Sequence, residues 1–485
     1  MKQIFTSIFS LLIYISSFAQ TAPWVSFFGG PGSQFATDIK QTADNGFIVS
    51  AFNNEGNSPL FYVVKLNEAG EIEWEKNINK DNYAERAYSV IETSNNEFII
   101  IGTAGMLRQP WIVRLTAQGD TVWTSQWSHS MPQNSAVIAR GTVLNDDRIV
   151  VIGAEGQLGT RPNMLLVGAD GSLIEQRSLN AVVPPGWYSG TIVNHIEKTM
   201  EGGFILTGTA GTGSGSKAFL WKFNFNADSV WTFLYNGQGQ GMRSASSVKQ
   251  LPDGGYVMAG FSSPNSEHSC AMRVDANGEV IWFKVYPDNV YTQATDIVLW
   301  EDGGFLITEK RFTAVGESIF ESAIVRIDSE GNLINREIIT ADGIDVGLFR
   351  IQNTTDGGFV IAGEINPTGI MNEQDLFVLK SDPSGSYNTS FFNVLVSART
   401  GKDKNWEDAF RIMPNPIKTH HVFTAQIAEE TKLIELYSAK GSMISRSAIK
   451  NRLQTELTAP DKPGLYVLVF RLDNGISIKR YVLVL

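Results

Sequence analysis

An all-β fold in two parts is what the chain predicts: a ring of seven four-stranded blades, then a small β-sandwich. Three observations carry that expectation. A turn of the form acidic-Gly-Gly-aromatic recurs as Asp253-Gly254-Gly255-Tyr256, Glu201-Gly202-Gly203-Phe204, Asp302-Gly303-Gly304-Phe305 and Asp356-Gly357-Gly358-Phe359, with looser copies Asp44-Asn45-Gly46-Phe47, Asn95-Asn96-Glu97-Phe98 and Asp146-Asp147-Arg148-Ile149. The residue after each turn falls at 47, 98, 149, 204, 256, 305 and 359, a mean step of 52, and a fixed period of this size marks a repeat architecture. Each repeat also holds four short β-rich runs, the composition of a propeller blade. Seven copies give a seven-bladed β-propeller over residues 20–396, a polar linker over 397–405, and a separate β-sandwich over 406–485.

Residues 1–19 read as a signal peptide. Lys2 is the positive start, Ile4 to Ile15 the short apolar stretch, and Ser17-Phe18-Ala19 a small-x-small cleavage site. That stretch is shorter than the about 20 residues a membrane helix needs, and no other run approaches it. Trp24-Val25-Ser26-Phe27-Phe28 then matches the fourth-strand pattern (compare Trp231-Thr232-Phe233-Leu234-Tyr235) but precedes the first repeat. Two closures follow: this strand completes the last blade and removes an open sheet edge, or Tyr387 to Val394 completes it and the N-terminal strand is an extra edge.

Within a repeat, a first strand such as Ala36-Thr37-Asp38-Ile39 runs into the Gly turn, whose positive-φ positions suit Gly. The second and third strands, such as Phe47-Ile48-Val49 and Phe61-Tyr62-Val63-Val64, are continuously apolar, as expected of sheets covered on both faces. A second turn follows, as in Asp275-Ala276-Asn277-Gly278, and the fourth strand opens near Trp74, Trp123, Trp231 or Trp282. The Trp residues recur at one blade position and read as packing between blades. The two turn sets are short, whereas the loops joining strands two to three, and four to the next one, are long and differ in every repeat. Variable loops on a rigid scaffold are where binding usually sits.

The net charge of −11 shows no basic stripe for nucleic acid. The single Cys270 cannot form an internal disulfide and reads as a small buried hydrophobe, with His268 two residues before it as the partner a nucleophile would need. The five His residues (129, 195, 268, 420, 421) form no metal-binding spacing, and Gly211-Thr212-Gly213-Ser214-Gly215 lacks the Lys and helix of a phosphate loop. The Asp-x-Asn-Gly turns hint at calcium, but Asp275-Ala276-Asn277-Gly278 lacks the acidic twelfth position, and Asp accepting backbone N–H bonds explains them. No cofactor and no metal is expected.

The tail is more specific. Asn415-Pro416, the strand Ile434-Glu435-Leu436-Tyr437, Gly441, Gly464-Leu465-Tyr466 and the final basic-apolar strand with Lys479-Arg480 occur in that order at the C-terminus. This segment resembles the C-terminal sorting domain of type IX secretion (Por) cargo in Bacteroidota, with Ser438 where that family has Asp. The repeats resemble the delta-sixty or "DGG" type found in such cargo. The resemblance implies the type IX machinery as partner, export across the outer membrane, and release or surface attachment. From Asp403 onward the tail carries 12 basic and 9 acidic residues; the ring, without Lys2, carries 26 and 41, so an acidic passenger precedes a basic tail.

On the long-loop side the sequence offers Tyr83 and Arg86, Arg108, Arg161, Trp187 and Tyr188, Arg243, and Tyr291. Aromatics give stacking faces and Arg gives bidentate donors, which suits sugars or acidic polymers. The expected function is non-catalytic binding of a protein or glycan by a secreted or surface-attached propeller. The alternative is a polysaccharide lyase or hydrolase, for which Asp81, Glu85 and Asp345 are candidate carboxylates; hydrolysis needs a pair about 5–9 Å apart.

Overall fold

The computed structural model describes residues 23–28, 33–387 and 412–484, less the stretches 55–57, 81–82, 107, 128–138, 156–160, 180–189, 213–214, 236–240, 264–266, 313–319, 340–344, 367–373, 414–417, 427–430, 439–442, 450–453, 463 and 473–476. Seven four-stranded antiparallel sheets, one per repeat, precede two smaller-domain sheets of three and four strands. In blades 1 to 6 the strands pair in chain order. The first strands are Gln34–Gln41, Arg86–Glu92, Arg140–Val143, Ile192–Lys198, Gly241–Gln250, Tyr291–Leu299 and Asp345–Asn353. Each lies against the first strand of the next blade, and that of blade 7 against that of blade 1, so the ring is closed.

Blade 7 takes its fourth strand from the N-terminus. Trp24–Phe28 pairs antiparallel with Asp375–Lys380, Trp24 opposite Lys380 and Phe28 opposite Leu376. The first of the two closures is therefore formed; beyond Tyr387, the stretch that the other closure required lies outside the described residues.

The recurrent turn is a clamp. Leu251 N–H donates to Gly255 O at 2.8 Å, and Gly254 N–H to Leu251 O at 2.9 Å. Gly254 has φ 82°, and Asn45, Asn96 and Asp147 hold the same left-handed position in the looser copies; Asn and Asp tolerate it best among side chains. The second Gly answers a different need: a Cβ on Gly255 would stand 2.6 Å from the Val274 carbonyl oxygen. Asp253 accepts the Gly255 N–H at 2.9 Å and binds Arg273 of the third strand at 2.7 Å. The same acid-to-third-strand pairing recurs as Asp44–Lys65, Glu201–Lys222, Asp302–Arg326 and Asp356–Lys380. Where blade 3 has Leu166 in place of the base, Arg148 in the turn itself pairs with Asp146.

The fourth-strand Trp residues lock blade to blade. Trp24 covers Gly70 of blade 1, Trp74 covers Gly119 of blade 2, Trp123 covers Gly171 of blade 3, Trp231 covers Gly278 and Trp282 covers Gly331. In three of these the indole N–H also reaches a carbonyl of the same turn: Trp24 to Glu68, Trp74 to Ala117 and Trp282 to Ser329, at 2.9–3.2 Å. Blade 3 has no Trp there, and the turn it faces on blade 4 carries Ala227 at φ 62° where the others carry Gly; Arg177 bonds the Ala227 carbonyl instead. Gly is thus present where an indole must lie flat on the turn.

In the C-terminal domain, the three-stranded sheet (Ile412–Met413, Val422–Gln426, Gln454–Thr458) packs on the four-stranded one (Met443–Ala448, Thr431–Ser438, Gly464–Leu472, Ser477–Val484). Phe423, Ala425, Ile434, Leu436, Leu468 and Phe470 form the core between them. The opposite face of the larger sheet meets the ring: Val467 and Val469 join the buried cluster of Val25, Phe27 and Phe377. That contact covers Val25 and Phe27, and every residue of Trp24–Phe28 is buried, whereas the fourth strands of the other blades are mostly exposed or half-buried.

Candidate functional site

One register position of the first strand builds the centre of the ring. Nine residues before each turn anchor stand Asp38, Ser89, Arg140, His195, Ser247, Asp296 and Arg350. In six of the seven first strands a bulge falls just before this residue. The extra residue aims the following N–H away from its own sheet, and the neighbouring blade accepts it. Asp38 accepts Val90 N–H (3.2 Å), Ser89 accepts Gly141 N–H (3.4 Å), His195 Nδ1 accepts Val248 N–H (3.4 Å), and Asp296 accepts Ile351 N–H (3.1 Å). Ser247 donates to Asp296. Arg350 closes the circle, its Nε donating to Thr37 O at 3.1 Å. Arg140 cannot accept, and reaches back to Tyr88 O at 3.1 Å.

Inside this belt lies a cavity of about 560 Å³. Six first strands line it, and it opens towards the Gly turns, as Thr93, Ser94, Asn145 and Asp147 at its rim show. Five basic and four acidic side chains line it, a local excess of positive charge in a chain at −11. Lys40 pairs with Asp38 at 3.1 Å and Lys249 with Glu197 at 3.0 Å. Burial opposes ionisation of Asp38, but Lys40 and Arg350 hold its carboxyl below the usual range. His195 is held neutral: burial, then Lys249, Arg350, Lys40 and Arg140, push its imidazole well below 6.5. Since Nδ1 accepts a backbone N–H, the ring proton sits on Nε2. Burial, with Arg350 adding, pushes the Arg140 guanidinium down to about 9.

At the end of blade 7 away from its Gly turn, Glu364 of the second strand is buried, with Lys310 of blade 6 and Asp345 close enough to act on it. Burial raises its carboxyl to about 7, Lys310 opposing and Asp345 assisting. Lys310 Nζ lies 3.9 Å from the centre of the Phe349 ring.

Comparison places the ring among known folds. No protein-family model matches the sequence, and no curated protein matches it. Solved structures do: the lectin BP39L of Burkholderia pseudomallei aligns with a TM-score of 0.50 at 9% identity, over 76% of this chain and 98% of the lectin. The ring is a β-propeller by likeness as well as by topology. An ulvan lyase (TM-score 0.47, 7% identity, 78% of this chain and 99% of that one) and a protein of unknown function from Bacteroides caccae (0.36, 14%, 65% and 94%) also align, too loosely to add to that.

The sequence-nominated residues are scattered. Tyr83 is exposed, and Arg243 is exposed on blade 5. Arg86 lies over the Phe52 ring at 5.0 Å, a contact between blades. Arg108 sits in a turn at φ 47°, and Tyr291 is half-buried at the start of its strand. Arg161 is described only as backbone of its strand, and Trp187, Tyr188 and Asp81 lie outside the described residues. None of the described ones lines the channel cavity, which opens at the end with the short turns. Glu85 is buried and accepts Lys80 N–H at 3.1 Å. Cys270 is fully buried, and burial pushes its thiol well up. Asp275 accepts the N–H groups of Asn277 and Glu279 at 2.8 and 2.9 Å, the turn role that needs no ion.

Of the tail motif, Leu436 is core, Tyr437 donates to Glu435 at 3.0 Å, and Tyr466 donates to Lys462 O at 2.7 Å. Gly464 opens its strand with φ 150°. Lys479 and Arg480 are described as strand backbone only; Asn415, Pro416 and Gly441 lie outside the described residues.

The belt residues went unnoticed in the sequence. Their signal was available: a polar or charged side chain at one fixed register position of an otherwise apolar-flanked strand, in all seven repeats.

Proposed function

We propose that the propeller is a non-catalytic binding module that takes its ligand, a glycan or a protein segment, at the turn-bearing mouth of the central channel. One observation carries this reading: the channel's groups fit for proton transfer are already engaged in holding blade to blade. Asp38 and Asp296 accept backbone N–H bonds, His195 spends its basic nitrogen on Val248, and Glu197 is paired with Lys249. A general base needs a free lone pair within reach of substrate; these groups offer a shaped, charged surface instead. A glycan array and a polysaccharide-degradation screen on the full chain test it. Saturable binding without product release is expected, weakened by Thr142→Trp, which fills the channel; turnover of any polysaccharide sinks it.

A second reading is favoured by Glu364. A carboxyl raised to about 7 beside another carboxylate is what a glycan-cleaving acid requires. On that reading Glu364→Gln abolishes a measurable polysaccharide cleavage.

The export route belongs to the same proposal. The signal-peptide pattern of residues 1–19 and the tail motif support passage to the cell surface through the type IX machinery. Deleting residues 406–485 is expected to leave the protein in the periplasm; unaltered surface display refutes this.

A further inference from the structure

We infer that the channel cavity is an oxyanion site, built to take the carboxylate or sulfate of an acidic saccharide between Arg140, Arg350 and His195. This rests on the binding-module reading and adds the chemical class of ligand.

Several buried or half-buried Arg residues elsewhere in the ring are matched by acids. Arg311 and Arg336 share Asp288 and Glu309, and Arg273 and Arg326 each hold a turn Asp. Arg140 and Arg350 differ: among the described residues neither has a carboxylate within 4.0 Å. Each donates one described bond to a neutral carbonyl. Arg350 is 8% exposed, so its guanidinium has little water to replace an anion. Two guanidiniums that repel each other in a buried site are stabilised by an anion placed between them, and their planar forks match two-oxygen anions.

His195 completes the set. With Nδ1 bonded to Val248 N–H, the neutral ring turns an Nε2 donor to the same cavity. A neutral donor beside two cations binds an oxyanion without adding a third repelling charge. Lys40 and Lys249 are ion-paired with Asp38 and Glu197, whereas Asp38 acts on Arg140 and Arg350, and Asp296 on Arg140, only from beyond ion-pair distance.

The remaining lining favours a saccharide over an acidic peptide. Ser89, Thr93, Ser94, Thr142, Asn145 and Gln352 supply hydroxyl and amide groups that match sugar hydroxyls. Of the apolar lining residues, Val143, Leu144 and Ile196 are buried in the blades and Ile91 is half-buried. The cavity's volume lies within the range of small-ligand sites, about 300–1,000 Å³.

Calorimetric titration of the full chain with trigalacturonate, its methyl ester, neutral cellotriose, inorganic sulfate and a penta-glutamate peptide tests the inference. Trigalacturonate is expected to bind one-to-one, at least tenfold more tightly than its methyl ester, and to be displaced by sulfate. Arg140→Met is expected to weaken it at least tenfold with the circular dichroism spectrum unchanged, and Arg140→Lys by less. Equal affinity for the methyl ester or cellotriose overturns the oxyanion site while leaving the binding module intact. Preference for penta-glutamate, or an Arg140→Met variant that is folded and binds as the parent does, also overturns it. Cleavage of the saccharide refutes the underlying reading instead.

Discussion

Replacing Gly119 by Ala isolates the force that holds one blade to the next. Gly119 has φ 81°, and an added Cβ would stand 2.9 Å from Cε3, 3.0 Å from Cδ2 and 3.1 Å from Cζ3 of Trp74. Gly303 is its control, with φ 80° and nothing within 4 Å of the added Cβ. Both substitutions incur the left-handed backbone cost of an L side chain, about 1 kcal/mol. Only Gly119→Ala must also move an indole, and Trp74 is tied by its Nε1–H bond to Ala117 O at 2.9 Å. Overpacking costs about 1–3 kcal/mol, so Gly119→Ala is expected to destabilise by about 2–4 kcal/mol in total, against about 1 kcal/mol for Gly303→Ala. Urea unfolding followed by circular dichroism measures both midpoints. A Trp74→Ala background should bring the cost of Gly119→Ala down to that of Gly303→Ala, a coupling that a double-mutant cycle resolves. Equal midpoint shifts for the two Gly substitutions, or no coupling to Trp74, would refute the blade-locking argument.

Three further outcomes follow from particular groups. The Glu364 carboxyl binds its proton more tightly folded than unfolded, so its contribution is complete below about pH 4.5 and is lost as pH rises through about 7. That loss is about 3 kcal/mol, and Glu364→Gln is expected to remove it from the difference between urea midpoints at pH 5 and pH 8. Asp253 behaves oppositely: its bond from Arg273 depresses the carboxyl, so stability is present above the unfolded pKa and falls as pH drops through the folded one. Because the pair is half-exposed, Arg273→Met is expected to flatten the acid limb of the stability profile only slightly, as acid titration of the unfolding midpoint would show. Val469→Asp places a charge in the contact between C-terminal domain and blade 7; limited proteolysis should then release the C-terminal domain faster, with the ring core still resistant.

The amino-acid sequence determined the number of blades, because the turn needs Gly, Asn or Asp at one backbone position and that need recurs every 52 residues on average. It also determined the roles of the fourth-strand Trp residues, since one position repeated in many blades meets one environment. It marked the tail as a separate unit, where the period stops. Tertiary structure decided the rest. The choice of ring closure depended on which strand reaches the edge of blade 7, a contact spanning more than 340 residues. The buried outer face of Trp24–Phe28 followed from the docking of Val467 and Val469, which no local pattern encodes. Most of all, the candidate site is made of residues about 50 apart that meet only because the ring is closed. Each of Asp38, Arg140, His195 and Arg350 reads alone as one polar residue in one strand. Closing the ring sets them around one cavity, where burial and then Arg350 lower the Arg140 guanidinium, and burial and then its neighbours' positive charge keep His195 neutral. Charge interacts through space and not along the chain, so the sequence carries the residues and the fold alone carries their sum.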